Sequence, residues 1–380
     1  MRISRRPALV AGAVAAAALA VAATAAVAGT AAKSVGGYIY AGTAADTKAA
    51  QTAGAKAAGA TAAAPTGKTI AVILLSATSS ESIGVVAAAK QIASMFHYKV
   101  ITCDPNFDPQ KVIQCATSMV AQHPSVVFSV STNTGSMGSG FQQAVAAGIP
   151  WFDVVSAAVP AKGLYNYGTS GFKLAKLLDD YMFKQMKTQN GGSSVFGIDA
   201  PTVGIASANE SKQVKVDAKA AGVNLTLHNL DLSNAVQDAI SSTKQALQQD
   251  PKLGGLWTYC DFCLPLMAQQ AQTGGSKAVV AGQYANPAAI TGIKKGTISA
   301  VSDLPWQASV WVAMDQVLQN WAHKTPIAQG PAVYTKYSLD FFEPYLITKA
   351  NVGSGAGIPV FGPDYQTYFT TKWGKEFGVK

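Results

Sequence analysis

The residues best placed to do chemistry lie in one short stretch, Trp257-Thr258-Tyr259-Cys260-Asp261-Phe262-Cys263. Ahead of it, residues 253–257 are short and apolar, the pattern of a buried strand. Behind it, small and apolar residues recur at helical spacing as far as Gly274-Gly275. Asp261 therefore stands where a strand ends and a helix begins, the place where open α/β sheets hold ligands. Its carboxylate can accept hydrogen bonds from a ligand or cap the helix behind it. Cys260 and Cys263 flank it as a CxxC, and a helix N-terminus beside such a pair can stabilise a thiolate for thiol-disulfide exchange. The count of four cysteines favours structural staples instead, with Cys103–Cys115 and Cys260–Cys263 the simplest of three pairings.

Other catalytic machinery has no sequence support. There is no GxSxG, GxxxxGK[ST] or HExxH motif. His97, His123, His228 and His323 are isolated from one another and from the cysteines, so no metal site is expected. No cofactor is expected either. The net charge of +9 is spread singly, without a Lys/Arg block interleaved with aromatics, which argues against nucleic acid as a partner.

These residues need elements to hold them. Residues 69–75 form a continuous apolar run, the mark of a parallel strand covered on both faces. A polar turn follows at 76–81, then a helix over 83–96 and a strand over 99–102. Asp108-Pro109 opens the next helix as N-cap and first helical position. Strands over 125–130 and 149–155 bracket a helix over 140–147. The alternation then repeats after a helix over 171–187. Strands are expected over 202–207, 224–230, 254–258 and 278–282, with helices near 209–221, 234–249, 264–272 and 287–295. A stretch over 298–302, a helix over 306–323 and a strand over 342–348 close the pattern. Strand and helix in alternation predict α/β architecture with parallel sheets. Two such halves give a cleft whose lining would include Ser79, Ser80, Thr132, Asn133, Asp153, Asn209, Lys212, Phe262, Tyr284, Asp303 and Trp306.

In serial order, the chain resembles type I periplasmic (solute-binding) proteins of the ribose and sugar ABC-transporter kind. The features are the apolar first strand with its Ser/Thr turn, Asp108-Pro109-Gln110-Lys111, Gly148-Ile149-Pro150, the Asp261 segment, and residues 290–296 followed by Ile298-Ser299-Ala300-Val301. The resemblance covers roughly residues 68–352. It implies two Rossmann-like lobes with parallel sheets joined by a multi-strand hinge. The N-terminal lobe would be 68–168 plus about 298–333 and the C-terminal lobe 169–297 plus about 334–352, with 353–380 an extension. It implies a non-enzymatic monomer that captures a small molecule, a sugar or a related polar or aromatic compound, and hands it to an ABC transporter permease. A ligand-sensing subunit for a membrane receptor is the nearest alternative, and a thiol-disulfide oxidoreductase a remoter one. The ligand set expected from the strand ends is Asp261, Ser79, Ser80, Asn133, Asp153, Phe262, Tyr284, Asp303 and Trp306, of which the resemblance retains Asp261 and, in place of a Gln, Asp303. The pattern departs from the family at several of its sugar contacts: Ser82 and Ile83 replace two aromatics, Val155-Ser156 an Asp-Arg pair, and Lys212 an arginine. A repressor with this fold would carry a helix-turn-helix where this chain has an export signal.

That signal is Met1-Arg2-Ile3-Ser4-Arg5-Arg6, an Ala/Val-rich run and a small-residue cleavage site at Ala26-Val27-Ala28. Residues 1–28 are expected to be a signal peptide, with retention as an anchor the alternative. The route is Sec or twin-arginine, and the destination is the periplasm or cell surface. No cysteine precedes Cys103, so no lipid-anchor cysteine is present. Residues 29–67, rich in Ala, Gly and Thr, are expected to be a disordered tether.

Overall fold

The computed structural model describes residues 34–131, 134–154, 161–168, 171–201, 205–333 and 335–379. The expected signal peptide lies outside them. A short hairpin, β1 (Ser34–Val35) and β2 (Tyr38–Tyr40), leads into α1 (Ala44–Ala57). The first α/β unit is β3 (Thr69–Ile73), α2 (Ser80–Phe96), β4 (Lys99–Cys103), α3 (Pro109–Val120), β5 (Val126–Ser129), α4 (Gly138–Ala146), β6 (Trp151–Asp153) and β7 (Leu164–Asn166). Its five strands are all parallel, in the order β4-β3-β5-β6-β7.

The second unit is α5 (Gly171–Gln189), β8 (Ser194–Asp199), α6 (Ile205–Ala221), β9 (Asn224–Asn229), α7 (Ala235–Gln249), β10 (Gly255–Thr258), α8 (Cys263–Thr273), β11 (Val279–Gln283), α9 (Pro287–Lys295) and β12 (Ala300–Asp303). Beyond it come α10 (Trp306–His323), β13 (Tyr345–Thr348), β14 (Ile358–Val360) and α11 (Tyr365–Phe377). The second sheet runs β13-β12-β11-β10-β8-β9, parallel except for β13, which lies antiparallel against β12.

The buried strands show why they read as unbroken apolar runs. Along β3, Ile70 and Val72 enter one core while Ala71 and Ile73 enter another, so both faces of the sheet are covered. Phe152 and Trp151 on β6 divide in the same way. Asp108 caps α3 as expected, its Oδ1 accepting from the Gln110 and Lys111 amides at 2.9 and 3.4 Å.

Three expectations are corrected. The strand expected over 202–207 lies at Ser194–Asp199, and residues 205–207 open α6. Gly197 interrupts its sequence pattern, yet the glycine is required: a Cβ there would stand 2.5 Å from Leu227 and 3.1 Å from Trp257. The segment expected at 298–333 in the first lobe divides. Its strand β12 pairs with β11 in the second sheet, while α10 packs on α2. The described part of the expected tether is ordered. A capping box between Thr43 and Asp46 starts α1, which packs along α11, and β2 pairs with β14. This helix has no apolar stripe because it makes contact through small residues. Ala50 and Gly54 are its buried positions, and a Cβ on Gly54 would lie 2.2 Å from the Tyr368 carbonyl oxygen.

Candidate functional site

The carboxyl ends of β10, β11 and β12 bring three turns together, and each is fixed by its own hydrogen bonds. After β10, the Cys260 amide donates to Thr258 Oγ1 at 3.0 Å, and Asn286 Nδ2 donates to the Asp261 carbonyl at 2.7 Å. Asn286 also caps α9, so the Asp261 turn is tied to the next helix. Asp261 Oδ1 accepts from the Phe262 amide at 2.7 Å. The Cys263 amide that opens α8 donates to Cys260 Sγ at 3.2 Å and not to Asp261, so the cap role open to Asp261 is not the one it plays.

After β12, the buried Asp303 accepts at Oδ1 from the Leu304 amide and the Trp306 indole, both at 2.9 Å, while Oδ2 makes no hydrogen bond of good geometry, the Ala285 amide and the Tyr345 hydroxyl being the other groups beside this carboxylate. Trp306, 2 % exposed, packs against Tyr284 with ring centroids 5.4 Å apart. Tyr284 follows β11 in the left-handed region at φ 64°, a costly setting for a bulky residue and one that recurs at ligand sites. Its hydroxyl donates to Glu210 Oε1 on α6, and Glu210 Oε2 is buried without a partner.

The first unit meets these turns with the start of α2. Ser79 caps that helix: its hydroxyl donates to the Ser76 carbonyl and accepts from the Ser82 amide. Ser80 is buried, with its hydroxyl beside that of Tyr38. Glu81 is half-buried along its stem, but Oε2 is sealed from water and unpaired. Tyr38, from β2, is 2 % exposed and its hydroxyl is also unpaired.

Burial dominates the electrostatics. It pushes Asp303 and Glu210 up to about 8. Burial first, and then the negative charges of Asp261 and Asp303, raise Glu81. Desolvation raises Asp261 too, against the Phe262 and Asn286 hydrogen bonds. The fields of Asp303, Glu81 and Asp261 all reach Tyr38, so carboxylates from both units face one another across the space between the sheets.

Of the expected ligand residues, Asp261, Tyr284, Asp303 and Trp306 come together here, with Phe262 half in solvent beside them at 37 % exposure. Ser80 adjoins the cluster, while the Ser79 hydroxyl is spent on its cap. Asp153 is buried at the end of β6, in register with Ser129 and Asn166. Asn133 and Thr132 lie outside the described residues. Lys212, the expected stand-in for an arginine, is exposed on α6. Sequence reasoning passed over Tyr38, Glu81 and Glu210. The last two adjoin Ser80 and Asn209, so widening each turn by one residue would have found them, whereas no local signal marks Tyr38.

Both disulfides pair locally, Cys103–Cys115 with Cα atoms 5.6 Å apart and Cys260–Cys263 with 5.2 Å. Cys260 is 5 % and Cys263 0 % exposed, which denies an incoming thiolate its line of attack. The second pair is therefore a staple under the Asp261 turn.

A family model described as periplasmic binding protein domain matches residues 70–325. The chain belongs to that family. Solved structures of periplasmic binding proteins share its fold. An ABC sugar transporter subunit from Rhodobacter sphaeroides is 18% identical, over 75% of this chain and 99% of its own, with a TM-score of 0.61. A Caulobacter myo-inositol binding protein bound to myo-inositol is 17% identical over 76% and 96%, with a TM-score of 0.64. A periplasmic ribose ABC transporter protein from Conexibacter woesei is 15% identical over 77% and 95%, with a TM-score of 0.63. No curated protein matches the sequence. At these identities the likeness is one of fold: the type I periplasmic binding protein architecture, α/β with parallel-dominated sheets in two lobes.

Proposed function

We propose that this periplasmic binding protein is an exported, monomeric, non-enzymatic receptor that closes its two lobes on a small molecule and presents it to an ABC transporter permease. One observation carries the reading: Glu81 Oε2 from the first unit, Asp303 Oδ2 from the second and the Tyr38 hydroxyl are sealed from water without hydrogen-bond partners, and the charges of the two acids act on each other and on Tyr38. Buried polar groups without partners are costly, and a ligand that bonds them recovers that cost on closure. The two disulfides suit an oxidising compartment outside the cytoplasm. Native mass spectrometry of protein purified from the producing cells should show a retained small molecule. Small-angle scattering should show a smaller radius of gyration in that form than after the ligand is removed by unfolding and refolding. A chain that carries nothing, and whose dimensions never change, would remove the reading.

Asp261 gives a residue-level check. Asp261→Asn keeps the shape and the acceptor for the Phe262 amide but loses a charge-assisted acceptor, worth roughly 1.5–3 kcal/mol. Affinity for the retained molecule should fall by about tenfold to 150-fold in titration calorimetry. The apo melting temperature should not fall. Binding within about twofold of the parent would take Asp261 out of the site.

A further inference from the structure

We propose that the ligand held between the lobes is a cation, a small molecule bearing an amine or quaternary ammonium group, rather than a neutral sugar. This rests on the solute-binding reading and specifies its ligand class. Four buried carboxylates gather from separate elements: Glu81 on α2, Asp261 after β10 and Asp303 at the end of β12 act on Tyr38 together, and Glu210 on α6 is joined to this group through the Tyr284 hydroxyl. No basic side chain acts on any of the four among the described residues. Positions 132–133, 155–160, 169–170 and 202–204 of the sequence carry no Lys, Arg or His. All three arginines of the chain are at positions 2, 5 and 6.

One buried carboxylate pair elsewhere in the protein is neutralised by a lysine, although the buried Asp179 is not. Asp315 on α10 and Glu376 on α11 share Lys372, whose Nζ lies 2.7 Å from one and 2.9 Å from the other. The cleft has the acids without the lysine. Independently of the acids, the Tyr38 hydroxyl is buried beside Ser80 with no hydrogen bond of good geometry, a neutral group on which the charges of Asp303, Glu81 and Asp261 all act. Tyr284 and Trp306 add π faces of the kind that attract alkylammonium groups.

The remaining titratable groups facing the cluster are the phenols Tyr259, Tyr284 and Tyr345, all raised chiefly by burial. Asp199 at the end of β8 adds a negative charge acting on Tyr259. The basic side chains Lys215 and His228 act on Asp199 and not on the four acids. Without ligand, burial keeps Asp303 and Glu210 protonated up to about pH 8; a bound cation displaces those protons to solvent. Cation binding therefore releases protons and strengthens as pH rises toward about 8, where Asp303 and Glu210 ionise.

The test uses the full folded protein, freed of retained ligand. Putrescine, tyramine and choline are titrated beside their neutral counterparts butanediol, tyrosol and dimethylbutanol, and beside ribose and myo-inositol. At least one cation should bind about tenfold or more tightly than its counterpart and than either polyol. Its heats in two buffers of different ionisation enthalpy should report proton release, and its affinity should rise between about pH 6 and about pH 8. Asp303→Asn, with its fold checked by circular dichroism, should lower both the affinity and the proton count. Ribose or myo-inositol binding as tightly as every cation would overturn the cationic ligand and leave the solute-binding reading standing. Failure of all three cations to bind, or binding without proton release, would also overturn it. The solute-binding reading falls separately, on the absence of any retained molecule and any compaction.

Discussion

Lys372→Met is expected to lower folding stability by about 3–5 kcal/mol, because it removes one member of a buried ion network and leaves the others charged. Lys372, Asp315 and Glu376 have side chains only 7%, 3% and 1% exposed. Asp315 also accepts from the Trp373 indole at 2.8 Å and the Tyr337 hydroxyl at 2.9 Å. Glu376 accepts from Gln319 at 2.9 Å and from the Gly59 amide at 2.6 Å. The network thus joins α10, α11 and the chain leaving α1, beside the stacked Trp311 and Trp373 rings at 5.1 Å. Without the ammonium, two carboxylates remain in a dry setting with hydrogen bonds but no paired cation, Lys336 acting on Asp315 only from its place beside Gln316. Urea denaturation at neutral pH would measure the loss. A loss under about 1 kcal/mol would mean that water reaches the network. Converting Asp315 to leucine and Glu376 to methionine in the same chain should recover part of the stability, since whole buried networks are replaceable where single members are not.

The second large effect has the opposite sign. Asp303→Asn should stabilise the empty protein at about pH 8 while weakening its ligand binding. In the unfolded chain this carboxyl ionises near its ordinary 3.8, but folded it does so only near about 8. Between those values the folded state keeps a proton that the unfolded state has lost. Stability therefore falls as pH rises through that window, by up to about 1.4 kcal/mol per pH unit for each such group. Asparagine keeps Oδ1 as acceptor for the Leu304 amide and Trp306 indole, and it does not ionise. Melting curves of variant and parent should nearly coincide near pH 4 and separate toward pH 8, the variant melting higher. Glu81 and Glu210 still titrate, so the variant's own curve keeps some slope. A variant that melts lower than the parent at pH 8 would show that the Asp303 charge is compensated in the empty cleft. A binding residue that destabilises the unliganded fold is the expected cost of a site built for something absent from the chain.

What the sequence made legible was what local physics decides. The two-sided apolar strand β3, the Asp108-Pro109 helix start, the local cysteine pairs and the helix over 306–323 all follow from spacing within a few residues. Asp261, Asp303, Trp306 and Tyr284 were legible as a set because strand ends in a parallel sheet define one rim. The misses are long-range. Gly197 weakens the pattern of β8 for the sake of Leu227 and Trp257, residues 30 and 60 positions later in the chain. Glu81 and Glu210 join the cleft only once the sheets face each other. Tyr38 belongs to it because β2 finds β14, more than three hundred residues away. None of these distances leaves a periodicity.

The helix α1 carries a further consequence, for how such sequences are trimmed and how they drift. Its Ala/Gly/Thr composition is what a linker filter removes, and Gly67 is where a cautious designer would begin the gene. A chain begun there would lose Tyr38 from beside Glu81 and Asp303, the neighbour of β14 and the cover over α11 in one cut. Nor is the segment free to mutate as linkers are. A side chain at Gly54 meets the backbone of Tyr368, so the simplest-looking stretch of the protein sits under one of its narrowest steric limits. Low complexity here records a close approach between helices, and selection should hold it as tightly as it holds the tryptophans.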